Sequence, residues 1–369
     1  MAMRAIKHFE QTVSWARAHE RRFSALSLAL GFAFDSYTFG RIDRPLTQLV
    51  FTLYLLAAGV SIAVLHVLES RGESRKPSDR VRAILIAAAQ FALGCLLSGF
   101  CVFYIRSAAI TASWPFLLFM GAIFIGNEYM RRYHARLVFS ALLFFFVLYS
   151  YAILLVPVVM ARIGAIPFLI AGGLAVVAFF FYIRALAFLG QDRYRTARKE
   201  IAAGVVLIAL LMNAFYFAKV FPPLPLVLSD AGVYHDVRRV GGNYRVAAEQ
   251  EPPRWRELFG TFPVEHIRPG GTLYVYSAVF APYRLTTAIR HRWEWRNPEN
   301  GDWIAQQTVR FTIHGGRANG YRVYSLRHVA KAGDWRVNIA TRDGRAIGRL
   351  RFSVETQAAP PALSEQTLK

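Results

Sequence analysis

The sequence predicts an α-helical polytopic membrane bundle of about seven spans followed by an all-β, Ig-like sandwich. Three observations carry that prediction. Hydrophobic residues make up 55% of the 369 residues and mean hydropathy is +0.30, which is too apolar for an ordinary soluble protein and excludes a disordered one. The long apolar runs all lie before residue 222, and from about 226 the pattern changes to two-residue alternation. Lys and Arg outnumber Asp and Glu by 44 to 23, and in the apolar half the excess falls in alternate loops.

Seven runs approach the roughly 20 residues a helix needs to cross a hydrocarbon core of about 30 Å. They are 23–39, 46–68, 82–105, 108–126, 136–158, 163–188 and 200–221, and the first is short and holds Asp35. In lipid the backbone must satisfy its own hydrogen bonds, so these runs are read as helices. With the N-terminus in the cytoplasm, the inward-facing segments carry 18 Lys and Arg and the outward-facing ones 5. That asymmetry orients the chain with its C-terminal part across the membrane, outside the cytoplasm. Residues 1–22 form a cytoplasmic amphipathic segment: Ile6, Phe9, Val13 and Ala16 share one helical face, with Trp15 nearby. No small-x-small cleavage site follows the apolar run, so this stretch is read as an interfacial helix, or a solvated tail, rather than a signal peptide.

The transmembrane domain is read as 23–221, closed by Phe221-Pro222-Pro223-Leu224-Pro225, where the prolines end the helix. Residues 222–270 are a linker with the first strands, 271–356 the extracytoplasmic sandwich, and 357–369 a disordered tail. Strands are expected near 233–239, 243–248, 272–280, 286–296, 305–314, 321–329, 334–341 and 345–355, with an Asp343-Gly344 hairpin turn between the last two. Parity assigns their faces. Ile289, His291, Trp293 and Trp295 share one side, as do Trp335, Val337 and Ile339, and Leu350, Phe352 and Val354; arginines recur on the other side. The two cysteines, Cys95 and Cys101, exclude a disulfide scaffold and a Cys-built zinc site. Six helical residues apart, about 9 Å of rise, they cannot bridge each other.

Several of these runs resemble a bacterial domain of unknown function, family 2914. They are His291-Arg292-Trp293-Glu294-Trp295, Tyr321-Arg322-Val323-Tyr324-Ser325, Gly333-Asp334-Trp335-Arg336-Val337, Asp343-Gly344 and Leu350-Arg351-Phe352. The resemblance covers about 285–355. The membrane half, with Phe34-Asp35, Gly40-Arg41-Ile42-Asp43 and Gly126-Asn127-Glu128, is similar to the multispan region often found ahead of that domain. The resemblance implies an envelope protein with an extracytoplasmic β domain, and it supplies no reaction, substrate or site residue.

Two sets of residues are candidates for function. Arg290, Arg292, Arg310, Arg322, Arg336, Arg349 and Arg351 fall on outward faces, and guanidinium forks bind phosphate and carboxylate. They read as a surface for an acidic lipid head group, an acidic envelope polymer or an envelope protein, or else as a solvated basic surface. Nucleic acid is a poor partner for an exported domain. Trp295 joins this set as a stacking platform for sugar rings, or it is core. The second set is a polar cluster in the membrane half, Asp35, His66, Asn127 and Glu128, which would line a transport path or form loop-end ion pairs. Neither a nucleophile motif, a phosphate loop, a paired-carboxylate signature nor a metal-ligand spacing is found. The reading is therefore a non-enzymatic binding protein without cofactor or metal, with a transporter or channel as the alternative.

Overall fold

A computed structural model describes residues 32–33, 35–36, 41–70, 78–107, 109–129, 137–189, 191–249 and 262–368. Six helices precede eleven strands among them. The helices are α1 (Pro45–Ser70), α2 (Asp79–Ser107), α3 (Ile110–Tyr129), α4 (Leu137–Met160), α5 (Ala165–Leu189) and α6 (Gln191–Phe217). All but α3 are long and apolar enough to cross a membrane. The apolar stretch of α3, Ala112–Asn127, is shorter than a full crossing, and Pro115 lies inside it. The expected segment 1–22 and most of the first span, 23–39, lie outside the described residues.

Two compact units divide the chain. The first takes Met1–Phe103, Leu118–Tyr151 and Ala175–Ile208. Here small residues let helices approach closely, as expected where lipid supplies no hydrophobic drive between them. A Cβ on Gly59 would meet the Phe144 ring at 2.9 Å, and one on Gly204 would overlap Leu142. The Tyr182 hydroxyl donates to the Gly59 carbonyl at 3.0 Å. The hairpin of α1 and α2 is closed by Arg82 Nε, 2.8 Å from Glu69 Oε1.

The second unit takes Tyr104–Leu117, Ala152–Leu174 and Ala209–Lys369, and with them every strand. These are β1 (Val227–Tyr234), β2 (Asp236–Val240), β3 (Asn243–Ala248), β4 (Val264–Ile267), β5 (Thr272–Phe280) and β6 (Thr286–Arg296), followed by β7 (Trp303–His314), β8 (Tyr321–His328), β9 (Gly333–Thr341), β10 (Ala346–Thr356) and β11 (Ser364–Leu368). They form three sheets rather than the two of a plain sandwich, with orders β1-β5-β8, β4-β10-β9-β6-β7 and β11-β3-β2. The pairing is antiparallel except for β4 against β10. The three-stranded β1-β5-β8 sheet lies between the other two. One of its faces shares Val275, Trp293, Trp335, Val337 and Phe352 with the five-stranded sheet, and the other packs Tyr276 and Ala278 on Val237 and Val246 of the small sheet.

Seven of the eight expected strands are present, the stretch expected as one strand at 233–239 is divided at His235 between the end of β1 and β2, and three further features were not anticipated. The stretch read as a linker with the first strands, 222–270, also supplies an edge strand to each main sheet: β1, which begins at Val227, and β4, Val264–Ile267. The tail read as disordered carries β11, because Ser364–Leu368 finds an open edge on β3 despite the prolines before it. The Asp343-Gly344 turn, with Gly344 at φ +90°, does more than reverse the chain. Arg345 beyond it is buried, donates through Nη1 to the Tyr216 carbonyl at 2.8 Å and lies 3.6 Å from the Tyr216 ring centroid. Burial alone would raise the Asp343 pKa, but the Thr341 hydroxyl and Arg345 hold it below the ordinary carboxylate range.

His291 is fully buried on β6 between Ser277 of β5, at 2.8 Å, and Ser325 of β8, at 2.9 Å. The indole Nε1 of Trp293 donates to the same Ser325 hydroxyl at 3.0 Å. Burial pushes the His291 pKa down from 6.5 to about 4. Between those values the unfolded chain binds a proton that the folded chain refuses, so folding stability falls as pH drops through that window, by up to about 3 kcal/mol. Urea unfolding of the detergent-solubilised chain, followed by tryptophan fluorescence, should show a smaller loss between pH 7 and pH 4.5 in His291→Gln than in the wild type; equal losses would contradict the assignment.

Candidate functional site

Strand alternation and register decide where the arginines go. On β6 the inward residues are Ile289, His291 and Trp293, so Arg290, Arg292 and Glu294 point to the opposite face of the five-stranded sheet. Register then sets Arg290 opposite Arg310 of β7, Arg292 opposite Asn338 of β9, and Glu294 opposite Arg336. On the far side of β9, Arg336 faces Arg351 and Asn338 faces Arg349 of β10. Six of the seven predicted arginines thus share one face. The seventh does not: Arg322 is on β8, on the three-stranded sheet, where it donates to the Gly242 carbonyl at 3.3 Å.

Glu294 holds the centre of this face and is 3% exposed. It lies 3.0 Å from Arg292 Nε and 2.5 Å from Arg336 Nε, and it accepts from Asn338 Nδ2 at 2.6 Å. Asn338 Oδ1 in turn accepts from Arg349 Nε at 2.6 Å. Burial, then the charges of Arg336 and Arg351, push the Arg349 pKa below its ordinary value. The Nε atoms of Arg290 and Arg351 are buried and have no hydrogen-bond partner among the described residues. Arg336 also stacks 4.3 Å from the Trp303 ring centroid. A cavity of about 210 Å³ borders the face, lined by Arg296, Asp334, Arg351, Phe262 and Trp303 among others.

Two direct Arg–Arg pairs, Arg290–Arg310 and Arg336–Arg351, are the informative feature. Like charges directly opposite on a sheet are destabilising, so this face is poorly explained as a device for stability. Buried guanidinium donors without acceptors are also uncommon.

Trp295 is not part of this surface. Parity puts it on the inward side opposite Trp335, its Nε1 donates to the Ala332 carbonyl at 3.0 Å, and the Lys331 ammonium lies 4.3 Å from its ring centroid. It packs against the core as a partly buried wall residue.

The polar set in the membrane half divides. Asp35 is half-buried, faces Ser98 of α2 and is in electrostatic range of Tyr54 and Cys95. Asn127 is buried on α3 beside Gly94 of α2. His66 is elsewhere. It lies 12 residues beyond Tyr54 on α1, a rise of about 18 Å, with Nε2 3.0 Å from the Ser140 hydroxyl and Nδ1 4.0 Å from Glu69. The Glu128 side chain lies outside the described residues. Arg41 pairs with Asp43 at 2.7 Å.

Sequence inspection missed a third group. His235, between β1 and β2, has Nε2 2.8 Å from Glu249 beyond β3 and 3.2 Å from Glu265 of β4. Burial alone would lower the His235 pKa, but the facing carboxylates of Glu265 and Glu249 outweigh it and hold it above the usual histidine range. No sequence spacing marks these residues, because three separate strands bring them together.

Comparison with known proteins agrees with the resemblance noted above. Residues 286–354 match the model of a family described as a protein of unknown function, DUF2914. The match takes in β6 to β9 and most of β10, and so contains all six arginines of the shared face. No curated protein matches the chain. Among solved structures, a similar chain is the Pseudomonas fluorescens alkylpurine DNA glycosylase AlkC bound to DNA containing an abasic site analog. It is 9% identical, the alignment covers 84% of this chain and 99% of that one, and the TM-score is 0.24. A likeness at that score carries no argument about fold or activity.

Replacing Glu294 by Gln leaves two guanidinium groups without their charge partner. Removing one member of a buried pair is strongly destabilising, and Arg292 is partly solvated, so the expected loss is about 2–3 kcal/mol. Urea unfolding at low ionic strength measures it, and added phosphate should restore part of the loss.

Proposed function

We propose that this chain is a seven-span bacterial inner-membrane protein with a cytoplasmic N-terminus, that its β region is an Ig-like sandwich elaborated by a third sheet on the periplasmic side, and that the outer face of the five-stranded sheet binds an anionic envelope component. The ligand chemistry is phosphate or carboxylate, as on an acidic lipid head group or polysaccharide. The reading is of a binding protein without catalysis. One observation carries it: the six predicted arginines, joined by Arg296, share a sheet face with the buried Glu294 and the half-exposed Asp334, and the buried Nε donors of Arg290 and Arg351 have no acceptor among the described residues. Arginine's planar fork suits both anions. The five apolar helices and the loop-charge asymmetry support the membrane topology.

The expected behaviour is salt-dependent binding of a polyanion by the detergent-solubilised full chain. Polyphosphate should bind at about 50 mM salt and largely dissociate at about 500 mM, where the Debye length is only a few ångströms. Arg290→Gln combined with Arg310→Gln should weaken binding by roughly tenfold, the equivalent of one charge-assisted hydrogen bond. Arg322→Gln, on the other sheet, should leave it unchanged. Binding insensitive to salt, or equal loss in both variants, would exclude this face as the site.

A second reading, transport through the membrane half, is favoured by Asp35 beside Ser98, Tyr54 and Cys95, since ionisable groups within membrane helices usually mark function. Under it, Asp35→Asn abolishes proton flux in proteoliposomes loaded with a pH-sensitive dye, while the melting curve is unchanged. Absence of flux in the wild type rejects it.

A further inference from the structure

The cluster at the meeting point of the three sheets is built like a cation site. His235 leaves β1, an edge strand of the three-stranded sheet. Glu249 follows β3 of the small sheet, and Glu265 lies on β4, an edge strand of the five-stranded sheet. One ligand atom from each of the three lies within 4.8 Å of the other two. Glu265 is only 2% exposed, and its Oε2 faces His235 Nε2 at 3.2 Å but makes no well-aligned hydrogen bond among the described residues. A buried carboxylate oxygen left in that state is costly unless something binds it.

A further residue orients the set. Glu249 accepts from the His266 backbone N–H at 2.7 Å and sits 2.8 Å from His266 Nδ1, and His266 Nε2 is 3.7 Å from Glu355. Ligating carboxylates are commonly held in this way by an outer hydrogen-bonding partner. Two carboxylates and one neutral imidazole carry the charge that a dication neutralises, and a nitrogen and oxygen donor set suits zinc and its first-row neighbours more than a soft, thiolate-seeking ion.

We propose that His235, Glu249 and Glu265 bind one divalent first-row transition-metal ion, which joins the edges of the three sheets and leaves a coordination position open to water or a small anion. The site is structural: it links β1, β3 and β4, each from a different sheet, at a place where no disulfide is available. It is separate from the arginine face and does not depend on the function proposed for that face.

The test uses the full chain in detergent, stripped with a chelator and titrated with Zn2+. The expected result is one equivalent bound by calorimetry, with a rise in the thermal midpoint that the chelator reverses. Glu265→Gln should lower the affinity at least tenfold and abolish the metal-dependent rise, while the metal-free midpoint stays equal or increases because a buried charge is gone. Should that variant fail to fold, Glu249→Gln, at the more exposed carboxylate, carries the same expectation. Failure of the wild type to take up Zn2+ or Mn2+ stoichiometrically, or wild-type affinity and midpoint shift in the glutamine variants, would overturn the proposal.

Discussion

The two-residue alternation of β6, anchored by one buried histidine, is the constraint on which the C-terminal region depends. His291 and Trp293 meet Ser277 and Ser325 across the core, so a one-residue slip of β6 would break three hydrogen bonds and drive arginines into an apolar interior. Because β6 pairs with both β7 and β9, its register fixes theirs, and β9 fixes β10. The arginine face is the outward consequence of that inward anchoring. Its charge is possible because the opposite side of the same strands is largely apolar, with His291 satisfied there by Ser277 and Ser325.

The outer face and the core are therefore under different pressures. The core follows ordinary packing, with Trp293, Trp335 and Phe352 fully buried between sheets. The outer face sets arginine against arginine and offsets this with one buried glutamate shared among Arg292, Arg336 and Asn338. A sheet surface selected for solubility alone would intersperse charges of both signs. That departure is what motivates the proposed anion binding, and the aromatic side chains of Trp303 and Phe262 lie beside the arginines. Arg345, at the β9–β10 turn, is bonded to Tyr216 at the end of α6 within the same compact unit.

Much of this was legible in the sequence because it depends on short-range pattern. Apolar run length marks the helices, and parity separates Trp293 from Arg292 without any tertiary information. The places where sequence reasoning went astray are those where distance along the chain misleads. Arg322 obeys the same parity rule as the other arginines yet belongs to another sheet, because alternation gives a face but not which sheet that face belongs to. His66 and Asp35 both look polar and intramembrane, but 12 residues of helix separate His66 from Tyr54, the α1 residue in range of Asp35. Glu69, three residues from His66, is its actual acidic neighbour.

By itself, then, the sequence determined the division into an apolar helical half and an alternating β half, most strand positions but not β1, β4 or β11, the Asp343-Gly344 turn and the outward bias of the arginines. All of these follow from local periodicity and turn chemistry. Tertiary structure alone decided that the sheets number three, that Ser364–Leu368 returns to pair with β3, that six arginines share one face, and that His235, Glu249 and Glu265 meet. The reason is that strand order and edge pairing are set by which hydrophobic faces and open backbone edges find each other, and no single stretch of chain contains that information.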